Sequence, residues 1–308
     1  MASRRARQAA GVLAVLMAAG CGPAATAAGH QHGESASPGP GSPEGLPATP
    51  SRPSPTPSPT PAPAPPPAKV ALSRFRAADG SVVTLAEFTG SVSFRLHAGS
   101  GDPGYPALSV LHAGPAIGPD EHRRLLAAFN GGFKLSSGVG GYEQEGHVIS
   151  RLLAGMASLV IDQSGAAAIG VWGHGLPRPG ETVYSVRQNL TLLVSHGHVT
   201  ASAADWGLWG ATLGGGELVA RSALGQDAAG QLIFAGSMSA SPADLAAALA
   251  HAGAVTGMEL DINPEWVQLD VARHPGHALA AAIPGQQRSA DQYLIGWTRD
   301  FITVLGPS

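Results

Sequence analysis

The sequence predicts an α+β fold: a mixed, mainly β core with helices packed on the sheet, formed as a single domain by residues 69–308. Three observations support this. Short runs rich in Val, Ile, Leu and Phe recur between Gly, Asp and Asn-Ser punctuation, the pattern of strands joined by turns. Two segments place Leu and Ala behind an acidic or capping residue, the pattern of helices. One of them stands between two strand-like runs, and a right-handed crossover would set those two strands parallel in one sheet.

Residues 1–20 read as a signal peptide of the lipoprotein type. Arg4, Arg5 and Arg7 precede an uncharged stretch from Ala9 to Gly20, a charged region followed by an apolar one too short to span a bilayer. Ala19 and Gly20 stand immediately before Cys21, as in a bacterial lipobox, with Ala18 where Leu or Val is usual. Cys21 is therefore the expected lipidation site, and cleavage near residues 25–28, giving a secreted chain, is the alternative. The expectation is an exported, outward-facing protein that meets the membrane through its lipid anchor only. Residues 21–68 are expected to form a disordered Pro-rich linker, since more than half of the 26 prolines fall between Ser35 and Ala68. Alternating proline enforces extended polyproline II and leaves nothing to build a core.

Within the domain the strand-like runs are SVVTLAEFTG (81–90), SVSFRLHAG (91–99), MASLVIDQSG (156–165), AAAIGVWG (166–173) and NLTLLVSHGHVT (189–200). GELVARSALG (216–225), QLIFAGS (231–237), AVTGMELDI (254–262) and FITVLGPS (301–308) complete them. The first helix is predicted from Gly118-Pro119-Asp120 into EHRRLLAAF (121–129). The second, SPADLAAALAHAG (241–253), carries Ser241 as N-cap, Pro242 at the first helical position, Asp244 closing a capping box and Gly253 as the stop,.

Composition narrows the function classes. Of 308 residues 44% are hydrophobic, ample for a buried core, which excludes a wholly disordered chain,. A single cysteine excludes an internal disulfide scaffold,. Eighteen Lys and Arg against 21 Asp and Glu give a net charge of −3, with no basic face for nucleic acid,.

Four groups of residues carry chemistry. Glu259 and Asp261 alternate in MELDI, so on a strand both carboxylates reach the same face about 7 Å apart, a spacing used in acid/base and glycosidic chemistry. An edge-strand carboxylate and an acid paired with arginine are the structural alternative. Arg221 in GELVARSALGQD is expected at the end of a strand, before a Gly-containing turn, where it clamps a phosphate or carboxylate or forms an internal ion pair,. Asn130-Gly131-Gly132-Phe133 combines an amide that orients a hydroxyl with two glycines that admit a ligand to the backbone, or is simply a helix C-cap and turn. His196 and His198, or Glu143, Glu145 and His147, complete no tetrahedral ligand set. No metal and no cofactor is expected, and no GxSxG nucleophile elbow occurs.

Taken in order, AAFNGGF, RQNLTLLVSHGHV, RSALGQDAAGQLIFAGS, SPADLAAALAHAGAVTGMELD and RDFITVLG resemble the phosphodiester glycosidase family. This is the domain of the enzyme that removes N-acetylglucosamine from a phosphodiester to uncover mannose 6-phosphate. The likeness covers about residues 125–305. It implies an α+β fold, hydrolysis of a sugar-1-phosphodiester at its glycosidic bond, and functional positions at Asn130, Gly131, Arg221 and Asp261. By this resemblance Arg221 neutralises the departing phosphate, while Asp261, helped by Glu259, activates water or stabilises the oxocarbenium. Where many family members follow Leu-Asp with glycines and a serine, this chain has Ile262-Asn263-Pro264-Glu265-Trp266. Trp266 is then a candidate to stack on a sugar, or packs at the strand end. The expected partner is a glycosyl phosphodiester or another cell-envelope glycan. The alternative is a non-catalytic carbohydrate- or envelope-binding module on the same fold.

Overall fold

The computed structural model describes residues 66–307 apart from 106, 213 and 214, so the signal peptide, Cys21 and the linker up to residue 65 lie outside the described residues. The chain opens with β1 (Lys69–Arg76), β2 (Val82–Thr89) and β3 (Ser93–His97), and a single helical turn, α1 (Pro119–His122), precedes β4 (Leu125–Asn130). There follow β5 (Tyr142–Gln144), β6 (His147–Ser150), β7 (Ala157–Ile161), β8 (Ala167–Trp172) and β9 (Gly175–Leu176). Next come β10 (Ser185–Gln188), β11 (Leu192–Ser195), β12 (His198–Val199) and the long pair β13 (Val219–Asp227) and β14 (Leu232–Ala240). The last elements are α2 (Pro242–His251), β15 (Ala254–Glu259), β16 (Leu269–Ala272), β17 (Leu279–Ala281), α3 (Gln292–Ile295) and β18 (Phe301–Leu305).

The strands assemble into three sheets of seven, six and five strands, in the orders β1-β2-β14-β13-β15-β11-β12, β6-β5-β10-β7-β8-β9 and β17-β16-β4-β18-β3. This corrects the α+β expectation of helices packed on a sheet. Strand is the main regular structure among the described residues, and of their three α-helices two are four-residue turns, so no helical layer forms. The predicted helix over 119–129 stops at His122, and LLAAFN continues as β4, every residue of it buried. β4 lies between β16 and β18 in the interior of its sheet. Leu and Ala favour helix only weakly, and pairing on both edges and burial on both faces override that preference.

Alternation along the seven-stranded sheet divides its two faces, as period-2 geometry requires. Val83, Leu85, Ala223, Ile233 and Ala235 join Leu245, Ala246 and Leu249 of α2 in one apolar cluster. Phe88, Leu224, Leu232 and Phe234 point into another, which also takes Phe94 and Phe129 of the five-stranded sheet and Leu159 of the six-stranded one. Phe129 sits at its centre, stacked on Phe88 at 5.6 Å between ring centroids and tilted against Phe234 at 5.2 Å. α2 has the cap its sequence announces: Asp244 N–H donates to Ser241 Oγ at 3.1 Å, and Ser241 N–H donates to Asp244 Oδ2 at 2.8 Å. The strands flanking α2 both pair antiparallel with β13, so β14 and β15 run in the same direction with β13 between them.

Candidate active site

Strand ends from all three sheets converge on one buried polar cluster. Asn130 ends β4, and Arg299 and Asp300 lead into β18 beside it, where Phe301 pairs with Asn130. Arg187 and Gln188 end β10, with Asn189 next. Arg221 and Ser222 lie near the start of β13, and Glu259 closes β15, two residues before Asp261. Arg221 is thus not before a turn: the strand continues through Gly225, where a Cβ would come within 2.8 Å of Ala254 Cβ and 3.0 Å of Leu249, leaving room only for glycine.

Three arginines meet three carboxylates in pairs. Arg221 donates from Nη1 to Glu259 Oε1 at 2.7 Å, with both side chains fully buried. Arg299 Nη1 donates to Asp261 Oδ2, and its Nη2 donates to the Gly132 carbonyl at 3.0 Å. Arg187 donates from Nε to Asp300 Oδ2 at 2.7 Å and from Nη2 to the Phe133 carbonyl. Neutral groups tie the pairs together. Asn130 Nδ2 donates to Ser222 Oγ at 2.8 Å, and Ser222 N–H donates to the Asp261 carbonyl at 2.8 Å. Asn189 Nδ2 donates to the carbonyls of Glu259 and Leu260 at 3.0 and 2.9 Å.

The structure therefore brings together Asn130, Gly131, Gly132, Arg221, Glu259 and Asp261. The glycines serve the protein's own ion pairs: a Cβ on Gly131 would stand 1.9 Å from Asp300 Oδ2, and one on Gly132 would stand 2.9 Å from Arg187 Cζ. Trp266 joins the cluster at its edge, with Arg299 Cζ 5.8 Å from its ring centroid. The turn carrying it is rigid in a defined way. Asp261 Oδ1 accepts from Ile262 and Asn263 N–H at 2.7 and 3.0 Å, and the Asn263 carbonyl accepts from Trp266 and Val267 N–H. Cys21 lies outside the described residues. The residues that sequence reasoning did not single out are Arg187, Asn189, Arg299 and Asp300. The segments RQNLTLLVSHGHV and RDFITVLG that carry the family resemblance contain all four.

Burial pushes the Glu259 carboxyl up to about 8 against the opposing pull of Arg221, and the nearby Asp261 charge adds to the rise. Burial likewise lifts Asp261 to about 6, opposed by Arg299 and by the two backbone N–H groups on its carboxylate. A cleft of about 360 Å³ is lined by Val219 and Ala220, by Ile262, Asn263 and Pro264, and by Ala211 and Met238. Its walls are the chain neighbours of Arg221 and Asp261, and its volume falls in the range of small-ligand sites. Among the described residues no group of three or more His, Cys, Asp or Glu gathers as a metal site.

Asp270 on β16 is a further buried acid, lifted by burial to about 7 although Gln286 and Gln268 donate to it. A carboxyl that keeps its proton to higher pH in the folded than in the unfolded state gives stability that is complete below the unfolded value, near 4. That stability is lost as pH rises to the folded value. Stability to urea is therefore expected to fall from pH 5 to pH 8, and Asp270→Asn, which does not titrate, to flatten part of that fall. Glu121 and Glu145, whose burial is outweighed by the hydrogen bonds they accept, act only at more acid pH. A flat or rising profile between pH 5 and 8 contradicts the burial of these acids.

By class the domain is a three-sheet, mainly β fold with a buried Arg–carboxylate cluster at the meeting point of its sheets. Its likeness in fold is to a hypothetical protein from Synechocystis, with a TM-score of 0.50 and 14% identity over 78% of this chain and 62% of that one. It is also similar to the zebrafish N-acetylglucosamine-1-phosphodiester alpha-N-acetylglucosaminidase catalytic domain, auto-inhibited by its pro-peptide. That comparison gives a TM-score of 0.47 and 14% identity over 78% of this chain and 83% of that one. No protein-family model matches the chain, and no curated protein matches it.

Proposed function

We propose that the domain hydrolyses the glycosidic bond of a sugar-1-phosphodiester. The observation that carries this reading is the convergence of Asn130, Arg221, Glu259, Asp261 and Arg299 in one buried cluster, behind a ligand-sized cleft lined by Ala220 and Ile262, the chain neighbours of Arg221 and Asp261. Three buried ion pairs are a poor way to stabilise a fold, because desolvation offsets their attraction. Perturbed acids next to a cleft are characteristic of reaction sites. The order of the family-like segments along the chain supports the same reaction class. In the proposed reaction water attacks the anomeric carbon as the carbon–oxygen bond to phosphate breaks, and the phosphomonoester departs with the bonding electron pair. Asp261, ionised above about pH 6, takes the proton of the attacking water and stabilises the oxocarbenium-like carbon,. Arg299 faces the negative charge developing on the phosphate, with Arg221 holding Glu259 in place beside it. Trp266 borders the sugar. The protein acts outside the cytoplasm on an envelope or extracellular glycan, tethered by lipid at Cys21. This part of the proposal is supported by the sequence of residues 1–21.

The test supplies the full-length protein with α- and β-linked hexosyl and N-acetylhexosaminyl methyl phosphodiesters in ¹⁸O-water. Equimolar free sugar and methyl phosphate are expected, with the label in the sugar. Label in the phosphate, or no release from any substrate of the panel, overturns the reading; retained binding without release leaves the non-catalytic carbohydrate module in its place.

A further inference from the structure

Next to the buried cluster lies an aromatic surface of which the proposed chemistry uses only the Trp266 edge. Trp266 and Trp297 approach with ring centroids 5.8 Å apart at 50°. The Arg288 guanidinium carbon lies 4.4 Å from the first ring centroid and 4.5 Å from the second. Arg288 is itself held in place: its Nε donates to the Glu265 carbonyl and its Nη2 to Glu265 Oε2, each at 3.1 Å. Trp297 is nevertheless 58% exposed. The exposed indole is fixed outward by a cation and a second ring,. The same Trp266 ring faces Arg299, which holds Asp261, so the surface is continuous with the candidate site. Because Glu265 neutralises Arg288, the surface offers a π-face without a free charge.

We infer that Trp297, backed by Arg288 and Trp266, is a stacking platform for a neutral pyranose ring of the glycan, one sugar removed from the reacting centre. The inference rests on the reading of the site as one that acts on sugars. A pyranose presents axial C–H groups on one face, and these pack on an indole while its hydroxyls stay in water. The ring supplies affinity and selects extended glycans over single sugars; the arginine fixes its angle.

The experiment titrates the full-length protein with chitotetraose, cellotetraose and maltotetraose by calorimetry, for the unaltered chain, Trp297→Ala and Trp297→Phe. At least one tetrasaccharide is expected to bind, with about tenfold weaker binding in Trp297→Ala and most of it restored in Trp297→Phe, and with melting temperatures lowered by only about 2 °C, the scale of one exposed cation–π contact. No tetrasaccharide binding, or binding equal in Trp297→Ala, overturns the platform. So does Trp297-dependent sedimentation with phosphatidylcholine–phosphatidylglycerol vesicles in the absence of saccharide binding, which assigns the ring to a membrane surface instead. Failure of the platform is distinguishable from failure of the hydrolase reading. Trp297-dependent saccharide binding without ¹⁸O incorporation sinks only the reaction, and incorporation without that binding sinks only the platform.

Discussion

Asp261→Asn is expected to lower hydrolysis of the methyl phosphodiester by about a thousandfold, the scale lost when a positioned acid or base is removed. Asn keeps the size of the side chain, and its carbonyl oxygen still accepts from Ile262 and Asn263 N–H. Its amide then faces Arg299 with a donor where a charged acceptor stood. The proton acceptor is lost and the arginine is left without its counter-charge. The pH profile distinguishes a chemical role from a structural one. In the unaltered protein activity should rise with pH through about 6 as Asp261 ionises. The Asn variant should lose that dependence. A variant that folds, as judged by urea unfolding, and retains full activity removes Asp261 from the reaction.

Arg221→Ala should be the most destabilising change in the cluster. The guanidinium donates to Glu259, to the Trp209 carbonyl at 3.0 Å and to the Ala240 carbonyl at 3.2 Å, and the whole side chain is inaccessible. Truncation leaves a buried carboxyl without its cation and two carbonyls without donors. Breaking a buried pair from one side typically costs about 3–5 kcal/mol. For a domain of this size that lowers the melting temperature by roughly 10 °C. Removing both charges with Arg221→Met and Glu259→Leu should recover part of the loss, since the desolvation cost disappears with the pair. The double-mutant cycle reads this directly: a coupling near zero would show that the two groups do not meet in the folded protein.

Much of the strand pattern was legible locally. Runs such as MASLVIDQSG and QLIFAGS become β7 and β14 because their Val, Ile, Leu and Phe content and the Gly or Asp turns beside them are properties of a few consecutive residues,. The cap of α2 was legible for the same reason, since Ser241, Pro242 and Asp244 act on one another within a single turn. The class was not. LLAAFN reads as helix by propensity, and only its neighbours β16 and β18, distant in sequence, make it a strand. With that segment and the absent helical layer, an α+β expectation becomes a three-sheet β fold.

The candidate site divides along the same line. Residue type and spacing drew attention to Glu259 and Asp261, and the family resemblance to Asn130 and Arg221; the fold gathers all four in one buried cluster. Tertiary structure alone decided their partners. Arg299 meets Asp261 across 38 residues of chain, and Arg187 meets Asp300 across 113. Each of these arginines looks like an ordinary charge in its own segment. The cost of burying it is met only by a carboxylate carried in on another strand, and that pairing exists only once three sheets have closed on one another.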